Sequence, residues 1–145
     1  MFSKSTEYAL RATLYIAQKG SVENKIGINE ISKAIGSPRS FTAKILQALT
    51  KNNKIIRSVS GPNGGFYMIE KAKNSPVRLI LKAMGEDDLL NKCILGLPKC
   101  SETKPCPLHN KYKLIKKELI DLFETATILQ LADDIGTGDV YIKSK

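Results

Sequence analysis

The sequence predicts a mainly α fold that carries one small β-hairpin and ends in a long amphipathic helix, and three observations lead there. Apolar residues recur at helical spacing in three blocks through residue 50, separated by glycine or by Ser37-Pro38. Two short β-prone runs follow, joined by Ser60-Gly61-Pro62-Asn63-Gly64-Gly65. Further on, Leu108, Tyr112, Ile115, Leu119 and Leu122 are separated by 4, 3, 4 and 3 residues, a period of about 3.5 that asks for a partner helix.

At 145 residues, with 42% apolar and 26% charged side chains, the chain has material for a compact domain plus an extension, and disorder is not the default. The first apolar run is broken by Arg11 and lacks a small-residue cleavage site, so it does not read as a secretory signal. No stretch approaches the length of apolar chain that a membrane span needs. The expectation is a soluble cytoplasmic protein without a membrane partner. Its three cysteines are an odd number and lie close together, a usage that points to metal binding or redox chemistry rather than to disulfides.

The net charge of +9 is unevenly placed. Residues 1–75 carry 12 Lys/Arg against 4 Asp/Glu, whereas residues 76–145 carry 11 against 10. A basic half joined to a neutral one is the electrostatic footprint of a nucleic-acid binder with an appended assembly or sensing part, although a merely solvated basic surface has the same composition.

Residues 3–18 read as a helix with Tyr8, Ala12, Tyr15 and Ile16 on one face, capped by Ser3 or Ser5 and ended by Gly20. Glu7 near its start is most simply an acid favoured by the helix dipole. Asn29 is a candidate N-cap for a short helix through Ile31, Ala34 and Ile35, closed by Gly36. Ser37-Pro38 then starts a further helix, Pro38 to Asn52, with Phe41, Ile45, Leu46 and Leu49 facing inward. Arg39, Ser40, Ala43, Lys44 and Gln47 fall on its other side. Short, hydrogen-bonding and basic, that side suits a DNA major groove, and it equally suits solvent.

Ile55–Val59 and Phe66–Ile69 form the hairpin, whose Asn-Gly and Gly-Gly steps supply positive φ. Three helices followed by a hairpin make a winged helix-turn-helix domain. Arg57, Ser60, Gly61, Asn63 and Gly64 are its candidate wing contacts to phosphates or a minor groove. Residues 76–85 add a short packing helix without evident chemistry. The expected organisation is a winged-helix DNA-binding domain over 1–85, a cysteine-rich sensor loop over 86–106, and a dimerisation helix with a C-terminal tail over 107–145. A last short helix, capped by Thr125 or Thr127, runs through Leu129 and Leu131, and the chain beyond Gly136 looks frayed.

The loop CILGLPKCSETKPCPLH holds all the cysteines and the one histidine, as Cys93-x6-Cys100-x5-Cys106-x2-His109. Pro107 reads as the first residue of the long helix, which puts Cys106 near a helix N-terminus where thiolates are favoured. Three thiolates and an imidazole suit a structural Cys3His zinc site, an iron–sulfur cluster of the 2Fe-2S or 4Fe-4S type, or a metal-free redox switch. No nucleophile–base dyad or phosphate-binding loop is present, so an enzyme is not expected. A thiol oxidoreductase lacks the Cys-x-x-Cys it would need. The remaining rival is a winged-helix protein-interaction module with structural zinc.

The opening FSKSTEYALRATLYIA, the segment SPRSFTAKILQAL, the wing SVSGPNGGFYMIE and the cysteine stretch together resemble the Rrf-two family of bacterial winged-helix transcription regulators. The resemblance implies a homodimer on a palindromic double-stranded DNA operator. Ser40, Ala43 and Lys44 match the family's groove-facing positions, and Gly61, Gly64 and Gly65 match its wing. It also implies a cluster on Cys93, Cys100 and Cys106. The fourth ligand is then His109, as in the family's IscR-like branch, or Glu7 of a partner chain, as in its NsrR-like branch. Two departures stand out. Ser60 replaces the arginine that relatives place before the wing Gly-Pro, which shifts the expected basic contact to Arg57, and the first cysteine gap is six rather than five.

Overall fold

A computed structural model describes residues 1–51, 54–138 and 140–143. Helix α1 (Lys4–Lys19) is its hub. The Ser3 side chain caps it by accepting from the Thr6 backbone N–H, and Gly20 ends it. The buried face is centred on Thr6, Ala9, Ala12, Thr13, Ile16 and Ala17, one position round from the face that Tyr8 and Tyr15 suggested. Those tyrosines line the margin of the core instead. Tyr8 meets Phe41 edge-on with centroids 5.5 Å apart. The Tyr15 hydroxyl donates to Glu30 at 2.6 Å, and its pKa is pushed up to about 12 by burial and by that carboxylate.

Helix α2 (Ile28–Ile35) starts two residues earlier than expected, with Gly27 rather than Asn29 at the N-cap. Asn29 serves a different purpose, accepting from Arg39 Nε at 2.9 Å. Gly36, at φ 69, closes the helix in the left-handed region that favours glycine. Helix α3 (Arg39–Thr50) has Pro38 at its N-cap and no side-chain cap. Ser37, expected to cap it, is buried and donates to the Pro38 carbonyl at 3.3 Å. Ile45, Leu46 and Leu49 point inward as expected, while the expected end at Asn52 lies outside the described residues.

Strands β1 (Arg57–Val59) and β2 (Gly65–Tyr67) pair antiparallel with Ser58 opposite Phe66. They are shorter than predicted because Ile55 and Ile56 enter the core. Ile26 also pairs with Phe66, tying the hairpin to the loop before α2. In the tip, Gly61 and Gly65 have φ of 103° and 145°, but Gly64 does not adopt positive φ. Close approach is what requires glycine there, since a Cβ on Gly64 would stand 2.0 Å from the Val59 carbonyl oxygen.

A single turn, α4 (Glu70–Lys73), leads into α5 (Arg78–Ala83), a 3-10 turn at Asp87–Leu90, then α6 (His109–Thr125) and α7 (Ile128–Gly136). Thr127 caps α7 in a reciprocal box with Gln130. Ile128 and Ala132 of α7 join the core formed by α1, α2, α3 and α5, so the chain's last helix packs back onto its first. Leu108, not Cys106, occupies the N-cap of α6, and Pro107 precedes the helix. Among the described residues no helix is long and apolar enough to cross a membrane.

Glu86 joins this frame to the start of α1. Its carboxylate accepts from the Ser3 backbone N–H at 3.1 Å and from the Ser3 and Thr6 hydroxyls. Those hydroxyls, Ser3 first, hold its carboxyl below its ordinary 4.5 despite burial. A depressed carboxylate stabilises the fold above its ordinary pKa, and that contribution is lost as pH falls through the folded value. Glu86→Ala should therefore cost no more than about 1 kcal/mol at neutral pH, and its urea midpoint should converge on that of the wild type as the pH is taken below about 4.

Candidate functional site

Of the residues expected to face DNA, Arg39, Ser40, Lys44 and Gln47 are exposed on α3, and Ala43 is half-buried between them. Helical periodicity accounts for this, because Ile45, Leu46 and Leu49 commit the opposite side to the core. Arg39 is held in place by Asn29. At the wing, Ser60, Gly61 and Asn63 are exposed and Gly64 is half-buried, with the Gly64 N–H donating to the Gly61 carbonyl at 2.9 Å to close the turn. Arg57 is half-buried, and its Nε is enclosed without a hydrogen-bond partner among the described residues. Among the described residues, neither Lys44 nor Arg57 forms an ion pair.

The cysteine loop brings its ligand types together. The three Sγ atoms of Cys93, Cys100 and Cys106 all lie within 4.8 Å of one another. Cys93 and Cys106 Sγ are 3.5 Å apart, and Cys100 Sγ is 3.2 Å from His109 Nδ1. Two thiolates on one tetrahedral ion, each bound at about 2.3 Å, stand about 3.8 Å apart, so the group is tight enough to hold a metal or the edge of a cluster. A cavity of about 160 Å³ opens onto these four side chains, with Tyr112, Lys113 and Lys116 of α6 on its wall.

Local backbone builds the site. The 91–108 segment has no helix or strand, and its turns are held by Gly96 N–H to the Cys93 carbonyl at 2.9 Å and by the Cys106 N–H to Cys100 Sγ at 3.4 Å. The His109 N–H donates to the Cys106 carbonyl at 3.1 Å, fixing the last cysteine just ahead of α6. Desolvation pushes the Cys93 thiol up, but the backbone N–H groups of Leu97 and Leu95 and the two neighbouring sulfurs outweigh it and bring the thiol down to about 7. Cys100 moves the other way. The Cys106 N–H favours its thiolate, yet desolvation and the adjacent sulfurs hold its pKa above the ordinary 9.0. One thiol ready to ionise near neutral pH, Cys93, beside one that ionises readily only when a cation compensates it, Cys100, is a pairing suited to a metal.

Two residues at this site went unnoticed in the sequence. Glu102 Oε1 lies 2.8 Å from Lys113 Nζ and 3.3 Å from His109 Nε2, and the lysine first, then the histidine, holds its carboxyl below the ordinary range. The available signals were Glu102 inside the second cysteine gap and Lys113 four residues after His109 on one helix face.

Helix α6 buries none of its residues. Of its predicted stripe, Leu108, Ile115 and Leu122 are exposed, while Tyr112 and Leu119 are half-buried. Leu114, outside the stripe, is 70% exposed. Glu7 is exposed on the first turn of α1.

Residues 2–134 match the Rrf2 family model, described as an iron-dependent transcriptional regulator. The chain belongs to the Rrf2 family. It is 32% identical over 133 residues to a helix-turn-helix-type transcriptional regulator of Aquifex aeolicus, a match covering 90% of each chain. To the regulator IscR of Pectobacterium carotovorum it is 26% identical, over 92% of this chain and 79% of that one. Its fold is similar to that of CymR, the global cysteine regulator of B. subtilis, with a TM-score of 0.72 at 14% identity, covering 92% of this chain and 97% of that one. It is also similar to T. potens IscR, with a TM-score of 0.69 at 18% identity, covering 97% of this chain and 91% of that one. This Rrf2 chain is thus a winged-helix transcription regulator and not an enzyme, and its three-cysteine group is one that can hold a metal or an iron–sulfur cluster.

Proposed function

We propose that this Rrf2 regulator acts as a homodimer on a palindromic double-stranded DNA operator, and that the state of the Cys93–Cys100–Cys106 site sets its affinity. One observation carries the reading: three thiols and His109 Nδ1 converge at the foot of α6, the same helix that leaves Ile115 and Leu122 each 58% exposed. A ligand site at one end of an unpartnered amphipathic helix couples occupancy to assembly. The family's description as iron-dependent favours an iron–sulfur cluster over zinc.

Cys93, Cys100, Cys106 and His109 are the proposed ligands, with Glu7 of a partner chain as the alternative to His109. When bound, a cluster supplies redox or ligand-exchange chemistry sensitive to oxidants. The protein's own part is to present the donors in a cavity walled by Tyr112 and Ile94, and to pass any change in loop geometry to α6. Anaerobically purified protein should be coloured, with stoichiometric iron and acid-labile sulfide, and its operator affinity should change when the cluster is removed. Colourless protein loaded with zinc would replace this reading with a structural Cys3His site.

On DNA, Arg39, Ser40, Ala43, Lys44 and Gln47 are the proposed major-groove side, and Arg57, Ser60, Gly61, Asn63 and Gly64 the wing contacts. Twofold symmetry would set two α3 helices about 34 Å apart, matching half-sites one helical turn apart. Lys44→Ala should weaken duplex binding and reduce the magnitude of the log–log salt slope by about 1 per protomer if Lys44 contacts phosphate, without changing the thermal midpoint. Titrations at several salt concentrations check it.

The dimer is proposed to form through Leu108, Tyr112, Ile115, Leu119 and Leu122. Ile115→Asp places a charge in that stripe at a position exposed in the single chain, so the fold should survive while sedimentation equilibrium shifts to monomer.

A further inference from the structure

Among the described residues, Glu102 is the one carboxylate lining the cysteine cavity. Its Oε1 stands between two nitrogens, 2.8 Å from Lys113 Nζ and 3.3 Å from His109 Nε2. The His109 side chain is only 15% exposed, and its Nε2 is enclosed without a completed hydrogen bond. The 3.3 Å approach is close enough for an ion contact but not aligned as a hydrogen bond.

Imidazole chemistry turns this into an assignment. A neutral ring carries one proton and one ring lone pair on opposite nitrogens. With Nδ1 facing Cys100 Sγ at 3.2 Å, a lone pair available to a metal at Nδ1 requires the proton on Nε2, and a buried N–H needs an acceptor. Glu102 is 62% exposed, free to turn by the few tenths of an ångström that alignment needs. Metal-bound histidines very commonly donate their second ring N–H to a carboxylate, which fixes tautomer and ring orientation. We propose that Glu102 is the positioning residue for His109: it accepts from Nε2–H and presents Nδ1 to the metal at the three cysteines, with Lys113 fixing the carboxylate from α6. This inference rests on the metal-site reading above. The bland alternative is that Glu102 and Lys113 form only a surface ion pair, of little consequence.

The test uses the full-length chain, metal-free and reduced, titrated with cobalt(II) under anaerobic conditions. Wild-type protein should give strong thiolate-to-cobalt absorption and the d–d pattern of three sulfurs and one nitrogen. Glu102→Ala should bind cobalt about 10- to 100-fold more weakly, and its d–d pattern should move to the one that His109→Ala gives. Glu102→Asp and Glu102→Gln, which keep an acceptor oxygen, should restore most of the wild-type pattern, and Glu118→Ala, an exposed acid elsewhere on α6, should change nothing. Wild-type affinity and spectrum in Glu102→Ala would overturn the proposal. So would weaker binding with the spectrum unchanged, because that is lost charge rather than lost positioning, or a wild-type spectrum indifferent to His109→Ala. If the wild type shows no thiolate-to-cobalt band at all, the metal-site reading itself fails, an outcome distinct from the others.

Discussion

The structure depends on the close packing of α1. Ala9 and Ala12 are fully buried on it, and Ile16 fills the space beside them. Small side chains at successive turns let other helices approach its backbone, and α2, α3, α5 and α7 all do so. This explains how a chain with a modest supply of large apolar residues supports several short helices, and why α3 can turn its basic face outward: its inner face is spent on this core. The hairpin is fastened to the same body, with the Ile26 N–H donating to the Phe66 carbonyl at 2.9 Å and the Ile26 carbonyl accepting from the Phe66 N–H at 2.8 Å. Whatever the wing touches is therefore referred to the same frame as α3.

Helix α6 obeys a different constraint. Its C-terminal end is stitched to the body: the Val77 N–H donates to the Ala126 carbonyl at 2.9 Å, and the Ile128 N–H donates to the Ser75 carbonyl at 3.1 Å. Arg78 spans the corner, bonding Asp87 at 2.7 Å and pairing with Glu124. Phe123 closes against Phe2 with centroids 5.5 Å apart. Toward its start, α6 has only lighter ties such as Lys116 to the Asn91 carbonyl at 3.2 Å. The helix is thus firmly anchored to the α1-centred core at its C-terminal end and only lightly held at its start, where it adjoins the cysteine loop.

Most of the framework could be read locally because local chemistry dictates it. Ser3, Gly36 and Thr127 do what capping preferences say they should, and the three-cysteine group is legible because soft donors are scarce and all fall in one stretch. The family resemblance rested on the same stretches and was right. What escaped was long-range or backbone-determined. Asn29 has the side chain of an N-cap, but Arg39 engages it. Arg78 looked inert because its partners lie 9 and 46 residues away. Ile55 and Ile56 read as strand, yet core demand outweighed β propensity there. Glu102 was invisible as a site residue because second-sphere groups carry no spacing rule; only the folded loop sets it against His109.

The loop's thinness explains why a metal there would matter. Between Asn91 and Leu108 no helix or strand supplies a ladder of bonds, and Ile94, Leu95 and Leu97 stay about half exposed instead of anchoring the segment. What remains is a handful of turn hydrogen bonds and the mutual approach of the thiols. Under the proposed function, a metal or cluster would be the principal cross-link of this loop, closing the stretch from Cys93 to Cys106 and gaining the stability that closure of a flexible loop confers. The loop runs directly into the first turn of α6 through the His109 N–H bond to Cys106. Ordering it would therefore fix the start of the helix, and losing the cross-link would loosen that start while the far end stays bolted to the core. A change confined to one end of the helix carrying the proposed dimer stripe would tilt that stripe relative to the DNA-reading domain, which is the geometric variable a dimer on two half-sites would need to control.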